Sequence, residues 1–260
     1  MMLAHLEIHL SPAENGELPY PQMGSLLHGW LMENLDKNYA EKLHQPELKP
    51  FSQYLERKKE QAIWHISTLN RESFEHITMP LAENYPEYIE IKHKKQAYKI
   101  EQTVLTKSFT SYKELADIYY VEKNPNKKQI LTLVTPTAFR SQNEYQIFPF
   151  VSLIYQNLIN RWNLFADRIS LEDPKLIEEL SAVSRLTSYK LETRYFSLEK
   201  VKIPAFCGTF TLISRGSSPM TSLINMLFAY AEFCGLGIKT SLGMGGIKIR
   251  KTSTQKGDEL

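Results

Sequence analysis

Five of the chain's 11 glycines crowd into twelve residues near its C-terminus, Gly235-Leu236-Gly237-Ile238-Lys239-Thr240-Ser241-Leu242-Gly243-Met244-Gly245-Gly246. Glycine carries no Cβ, so such a stretch can take positive φ and bring backbone close to a second group. Its amides can converge on an anion, and Lys239 adds a positive charge among them. Upstream, Leu223, Leu227, Tyr230, Ala231 and Cys234 recur at helical spacing, and Gly235 stands where a helix-ending glycine belongs. Downstream, Ile247 and Ile249 alternate with Lys248 and Arg250, which predicts a short strand with a basic face. This order excludes two common phosphate loops. A P-loop needs Gly-Lys-Ser/Thr, whereas Lys239 follows Ile238; a dinucleotide fingerprint needs a strand before it, and its third glycine falls at Thr240. Two readings stay open. One is a cradle for a phosphate or an RNA backbone, built from Gly235, Gly237, Lys239, Thr240, Ser241, Gly243 and Gly245 with Lys248 and Arg250 beside it. The other is a glycine-rich hairpin that only turns the chain.

The remainder of the chain reads as α+β. Ala4, Leu6, Ile8 and Leu10 alternate with His5, Glu7 and His9, which predicts a first strand. Helical stretches follow over about 24–35 and 39–43, strands over 62–69 and 87–106, and a β-rich apolar run over 131–135 that closes a first half. A helix over about 149–165 carries Val151, Ile154, Tyr155, Leu158, Ile159 and Trp162 on one stripe. Asp173-Pro174 opens another helix. Strands over 188–195 and 206–213 precede the last helix, the glycine loop and the final strand. Strand, helix, strands, helix and strand thus occur twice, with a boundary between residues 1–137 and 138–260.

Composition narrows the classes. Lys+Arg of 31 against Asp+Glu of 29 gives a net charge of only +2, so any nucleic-acid site must come from local clusters such as Lys92-His93-Lys94-Lys95 or the Lys248/Arg250 strand. Cys207 and Cys234 have neither metal-ligand nor disulfide spacing and are expected to pack as small apolar residues in a reducing compartment. No apolar run reaches membrane-spanning length, the N-terminus lacks a signal-peptide pattern, and the terminal Gly257-Asp258-Glu259-Leu260 without such a signal is no retention address. A cytoplasmic protein is expected. No His-Glu-x-x-His, clustered Asp or Cys pair points to a metal, and no cofactor is expected.

Read with the rest of the chain, Gly237-Ile238-Lys239-Thr240-Ser241-Leu242-Gly243-Met244-Gly245 after an amphipathic helix resembles the signature of the CRISPR repeat-cleaving endoribonucleases of the RAMP superfamily. Leu26-Leu27-His28-Gly29-Trp30-Leu31 resembles that family's first helix. Leu43-His44 with Leu48-Lys49-Pro50-Phe51-Ser52 resembles its Leu-His…Lys-Pro-Phe-Ser/Thr segment. Thr193-Arg194-Tyr195-Phe196-Ser197-Leu198-Glu199-Lys200-Val201-Lys202-Ile203-Pro204 resembles a strand pair of the type III-associated members. The likeness runs from residue 3 to 250. It implies tandem ferredoxin-like domains and cleavage of CRISPR repeat RNA in the precursor transcript to give crRNAs. The implied partners are repeat RNA and crRNA, with a type III effector complex beyond them.

An RNA strand carries its own nucleophile. If a base takes the proton of a 2′-OH held in line with the adjacent phosphate, the chain breaks to a 2′,3′-cyclic phosphate and a 5′-OH without a metal. Histidine suits both proton transfers. Of seven histidines, His5 and His9 are expected to face solvent from strand one, His65 to be structural, and His76 and His93 lack supporting context. His28 and His44 remain. The family resemblance implies a catalytic role at either, with Lys49 as the phosphate partner. Some members carry a catalytic Tyr on the first helix; Met32 stands at the matching position here, which makes a two-histidine arrangement more attractive than a Tyr-His-Lys triad. A non-catalytic crRNA-binding RAMP subunit would share the fold and the loop without needing His28 or His44. A small-molecule nucleotide binder is a third class, which the failed phosphate motifs disfavour.

Overall fold

The structure, a computed structural model, describes residues 3–13, 16–45, 47–59, 61–198 and 201–251. Glu199, Lys200 and the 257–260 tetrapeptide lie outside the described residues, as does the side chain of His93. The first half runs β1 (Leu3–Pro12), α1 (Gly24–Asn34), α2 (Lys37–His44), β2 (Phe51–Arg57) and β3 (Ala62–Thr68). A helical stretch of α3 (Arg71–Ser73), a π-turn (Phe74–Thr78) and α4 (Met79–Glu83) follows, then β4 (Tyr88–Ile91) and β5 (Gln96–Phe109). The five strands form one antiparallel sheet in the order β2-β3-β1-β5-β4. Without the added edge strand β4, this is the strand order of a ferredoxin-like unit. Leu6, Ile8 and Leu10 of β1 face the helices and share a core with Leu27, Trp30 and Leu31 of α1.

α5 (Tyr112–Tyr120) links the halves. The second runs β6 (Lys128–Thr137), a hairpin of β7 (Phe139–Ser141) and β8 (Glu144–Gln146), α6 (Val151–Phe165), α7 (Leu176–Val183), β9 (Ser184–Leu198), β10 (Val201–Ser214), α8 (Ser218–Cys234) and β11 (Ile247–Lys251). Its antiparallel sheet has the order β11-β6-β10-β9, again ferredoxin-like. The 131–135 run therefore does not close the first half. It lies in β6, which pairs with β10 and β11 and opens the second sheet, so the sheets change between Phe109 and Lys128. An alternating apolar run carries no mark of the sheet it joins; only its pairing partners decide.

β2, the α3–α4 stretch, α5 and the β7–β8 hairpin go beyond the sequence expectation. Their cues are short: Ser111 caps α5 by accepting from the Glu114 amide at 3.1 Å, and Asn70 with Ser73 forms a capping box at α3. α8 is apolar nearly all round because it is covered nearly all round. It packs on the linking α5, on β11 and α6 in its own half and on β1, β2 and β3 in the other. Its core also takes in Leu3, Leu69 and Tyr112, with the Tyr112 hydroxyl donating to the Leu69 carbonyl at 2.7 Å. Cys234 is buried there, and its thiol is pushed up to about 12 by burial. The two halves thus share one apolar seam.

Candidate active site

α1 carries His28 one turn beyond its start, α2 ends on His44, and Lys49 stands two residues before β2. On α1, Leu27, Trp30 and Leu31 point into the core. His28 lies at the margin of that stripe, its ring stacked on Phe51 at 5.9 Å between centroids and 10° between planes. The His28 Nδ1 atom is buried without a hydrogen-bond partner among the described residues. Burial lowers its pKa to about 4, against the Ser241 carbonyl, while the charges of Lys49 and His44 push the same way as burial. The charges of Lys49 and His44 thus reach His28, and the Ser241 carbonyl of the glycine loop lies beside its ring. His44 is exposed. Lys49 is half-buried; its ammonium donates to the Gln45 carbonyl, and burial draws its pKa below the usual lysine value. Met32 packs against the apolar core.

The loop itself is largely buried. Its glycines open space for the protein's own backbone, which corrects the reason given for them from sequence. A Cβ on Gly237 would come within 2.3 Å of the Ala138 oxygen, and one on Gly245 within 2.0 Å of the Leu236 oxygen. Gly235, Gly237, Gly243 and Gly245 all have positive φ. The Gly235 amide donates to Ala231 O at 2.9 Å, Gly237 to Asn157 Oδ1 at 2.9 Å and Gly245 to Pro136 O at 3.0 Å. Thr240 is buried with its side chain against Gly235, so its hydroxyl-bearing carbon packs inward. What the loop presents outward is Lys239, itself at φ 53°, with Ser241 partly exposed. Among the described residues, the Leu242 and Met244 amides donate to the Lys239 carbonyl at 2.9 and 3.3 Å, closing the turn. On β11, Arg250 is exposed, whereas Lys248 donates to Glu56 at 2.6 Å and bridges the two halves.

Sequence reasoning missed the groups that hold the loop in place. Gln53 of β2 donates to the Gly24 carbonyl at 2.7 Å and to the Ser241 carbonyl at 3.0 Å, while its oxygen accepts from Trp64 Nε1 at 2.7 Å. It ties the start of the His28 helix to the loop. Arg161 of α6 donates to Cys234 O at 3.0 Å and Gly237 O at 3.4 Å from the other side. A buried glutamine amid the apolar residues of β2 was the available signal. Away from these residues, His5, Glu7 and His65 bring ligand atoms within 4.8 Å of one another. His5 does not face solvent, being only 9% exposed.

Two ferredoxin-like units, the second carrying a glycine loop that closes on a histidine-bearing helix of the first, define a RAMP-type protein. A RAMP protein described as binding different RNA substrates superposes with a TM-score of 0.61 at 17% identity, covering 95% of this chain and 99% of that one. Thermus thermophilus Cas6 gives 0.73 at 21% identity, covering 96% and 98%. A Cas6 product complex gives 0.76 at 22%, covering 96% and 100%. The family model for CRISPR-associated endoribonuclease Cas6 matches residues 131–247. The CRISPR-associated endoribonuclease Cas6 of Streptococcus thermophilus is 32% identical over 233 residues, 90% of this chain and 93% of that protein. Its Mycobacterium tuberculosis counterpart is 31% identical over 229 residues, 88% and 72% respectively. The chain belongs to the CRISPR-associated endoribonuclease Cas6 family.

Proposed function

We propose that this chain cleaves CRISPR repeat RNA in the precursor transcript to release crRNAs, by 2′-OH attack and without a catalytic metal. The carrying observation is His28: a buried ring nitrogen without a partner, beside the glycine loop and within the field of Lys49 and His44. A pKa near 4 leaves its imidazole neutral at neutral pH, the form in which it can act as general base on the 2′-OH of a seated RNA. The 2′-oxygen then attacks phosphorus, the P–O5′ bond breaks, and the 5′-oxygen takes up a proton, the role we assign to exposed His44. Lys49 stabilises the charge that grows on the phosphate oxygens. That phosphate, once bound, raises the His28 pKa again and strengthens it as a base. The exposed Lys239 and Arg250 side chains favour RNA backbone along the loop's outer edge.

No helix among the described residues is long and apolar enough to cross a membrane. The likeness of residues 193–204 to type III-associated members favours delivery of the crRNA to a type III effector complex. The test is purified protein with repeat RNA in EDTA, beside the same RNA carrying a single 2′-deoxy nucleotide 5′ to the cut. Cleavage of the first and none of the second is expected. A deoxy substrate that is still cut removes the 2′-OH mechanism; binding without cleavage of either marks a non-catalytic crRNA-binding subunit.

A further inference from the structure

On the opposite face of the first sheet from His28, the register gathers a second set of histidines. Even-numbered β1 residues face α1, so His5 and Glu7 project from the other side, toward β11 and α8. Glu7 stands directly across from His65, and His5 across from Ser67. His5 Nε2 lies 3.1 Å from His65 Nδ1, and His65 Nδ1 lies 3.7 Å from Glu7 Oε1. Three vertices of a tetrahedron with bonds of about 2.0–2.1 Å are spaced about 3.3 Å apart; two of the separations lie on either side of that, and all three ligand atoms lie within 4.8 Å of one another. We propose that His5 Nε2, His65 Nδ1 and Glu7 form a Zn²⁺ site whose fourth position is filled by water from the adjoining cavity.

The groups behind the ligands support this. His65 Nε2 lies 3.3 Å from a Glu56 oxygen. An ionised carboxylate can only accept, so the neutral ring keeps its proton on Nε2 and turns the Nδ1 lone pair toward His5 and Glu7. His5 Nδ1 lies 2.7 Å from Ser67 Oγ, which can accept a hydrogen bond from Nδ1–H and so leaves Nε2 as a second lone pair. A carboxylate and a hydroxyl behind the two rings are the outer contacts that orient zinc-binding histidines. Tyr54, stacked on His65 at 4.3 Å and 13°, fixes the ring from one side. Nearby positive charges are paired with carboxylates: Lys248 shares the Glu56 oxygen behind His65 at 2.6 Å, and Lys107 pairs with Glu232 at 2.6 Å. Among the described residues, Glu7 has only histidine partners. The cavity, about 270 Å³ and lined also by Thr106, Phe233 and Ile249, is roomy enough for the water. Two imidazoles and one carboxylate favour zinc over magnesium. The ion would clamp β1 to β3 beside the seam between the halves, apart from the cleavage site.

The test is calorimetric titration of the EDTA-treated, dialysed full chain with ZnCl₂, then MgCl₂ as control, together with Co²⁺ absorption and melting curves. One zinc per chain, a tetrahedral Co²⁺ spectrum and a Tm raised by zinc are expected. Glu7→Gln, partly exposed and conservative, should weaken zinc at least tenfold and erase the Co²⁺ bands, and His5→Gln likewise. His44→Ala should leave both unchanged. Absence of 1:1 binding, or binding that survives Glu7→Gln and His5→Gln but is lost in His44→Ala, overturns the proposal. Because buried His65 variants risk misfolding, Glu7→Gln with a wild-type Tm in EDTA is the deciding protein.

Discussion

Gly24 and Gly243 press backbone to backbone: a Cβ built on either would lie 2.8 Å from the other's Cα. One opens the helix that carries His28, and the other ends the turn of the glycine loop that carries Ser241. The contact spans nearly the whole sequence and sets the distance between the imidazole and the loop. Gly243, at φ 105°, also occupies backbone space that side chains strain to reach.

Gly243→Val should destabilise the protein by roughly 1–3 kcal/mol from backbone strain alone, with more from the contact with Gly24. Urea unfolding reads this directly. A Gly243→Val protein with wild-type stability but weakened RNA binding would mean that the loop's open space serves RNA after all.

His28→Ala and His44→Ala should each lower the single-turnover cleavage rate by about 10²–10⁴-fold while leaving repeat affinity within a few-fold, since affinity rests on backbone contacts. Filter binding beside the rate assay separates the two effects. If both mutants cut at the wild-type rate, the proton-transfer groups lie elsewhere.

The acid limb of kcat/KM should fall below the ordinary histidine range, toward about 4. Because the Lys49 charge helps to depress His28, Lys49→Ala should move that limb upward as well as slow the reaction. A limb that stays in place in Lys49→Ala would separate the lysine from this histidine.

The same shift makes His28 an acid-labile element of the fold. Its ordinary pKa of 6.5 falls to about 4 on folding, so below pH 6.5 the unfolded chain takes up the proton first. Its contribution is whole above pH 6.5 and is lost as pH falls toward 4. His28→Gln should therefore show a flatter Tm profile than wild type across that window, and parallel profiles would contradict its burial.

Lys239→Ala should weaken repeat binding and reduce the salt slope by about 0.7–0.9, one phosphate's worth of released counterions. An unchanged slope would take Lys239 off the RNA path.

Sequence alone determined much of what is local. The alternation of Leu6, Ile8 and Leu10, the stripe on α6, the apolar run of α8 and the glycines after Cys234 all carry their own periodicity or backbone demand, and the elements form where those patterns lie. The segments that carry His28, His44 and Lys49 form α1, α2 and the approach to β2. What the tertiary structure decided is pairing at long range. The sheet that β6 joins, the burial of His5 between Ser67 and His65, the Gln53 strut from Gly24 to Ser241 and the glycines' use of their space against Ala138, Leu236 and Gly24 all depend on partners far away in the chain. No local pattern encodes them. A residue's period tells which face it turns, and only the packed fold tells what that face meets.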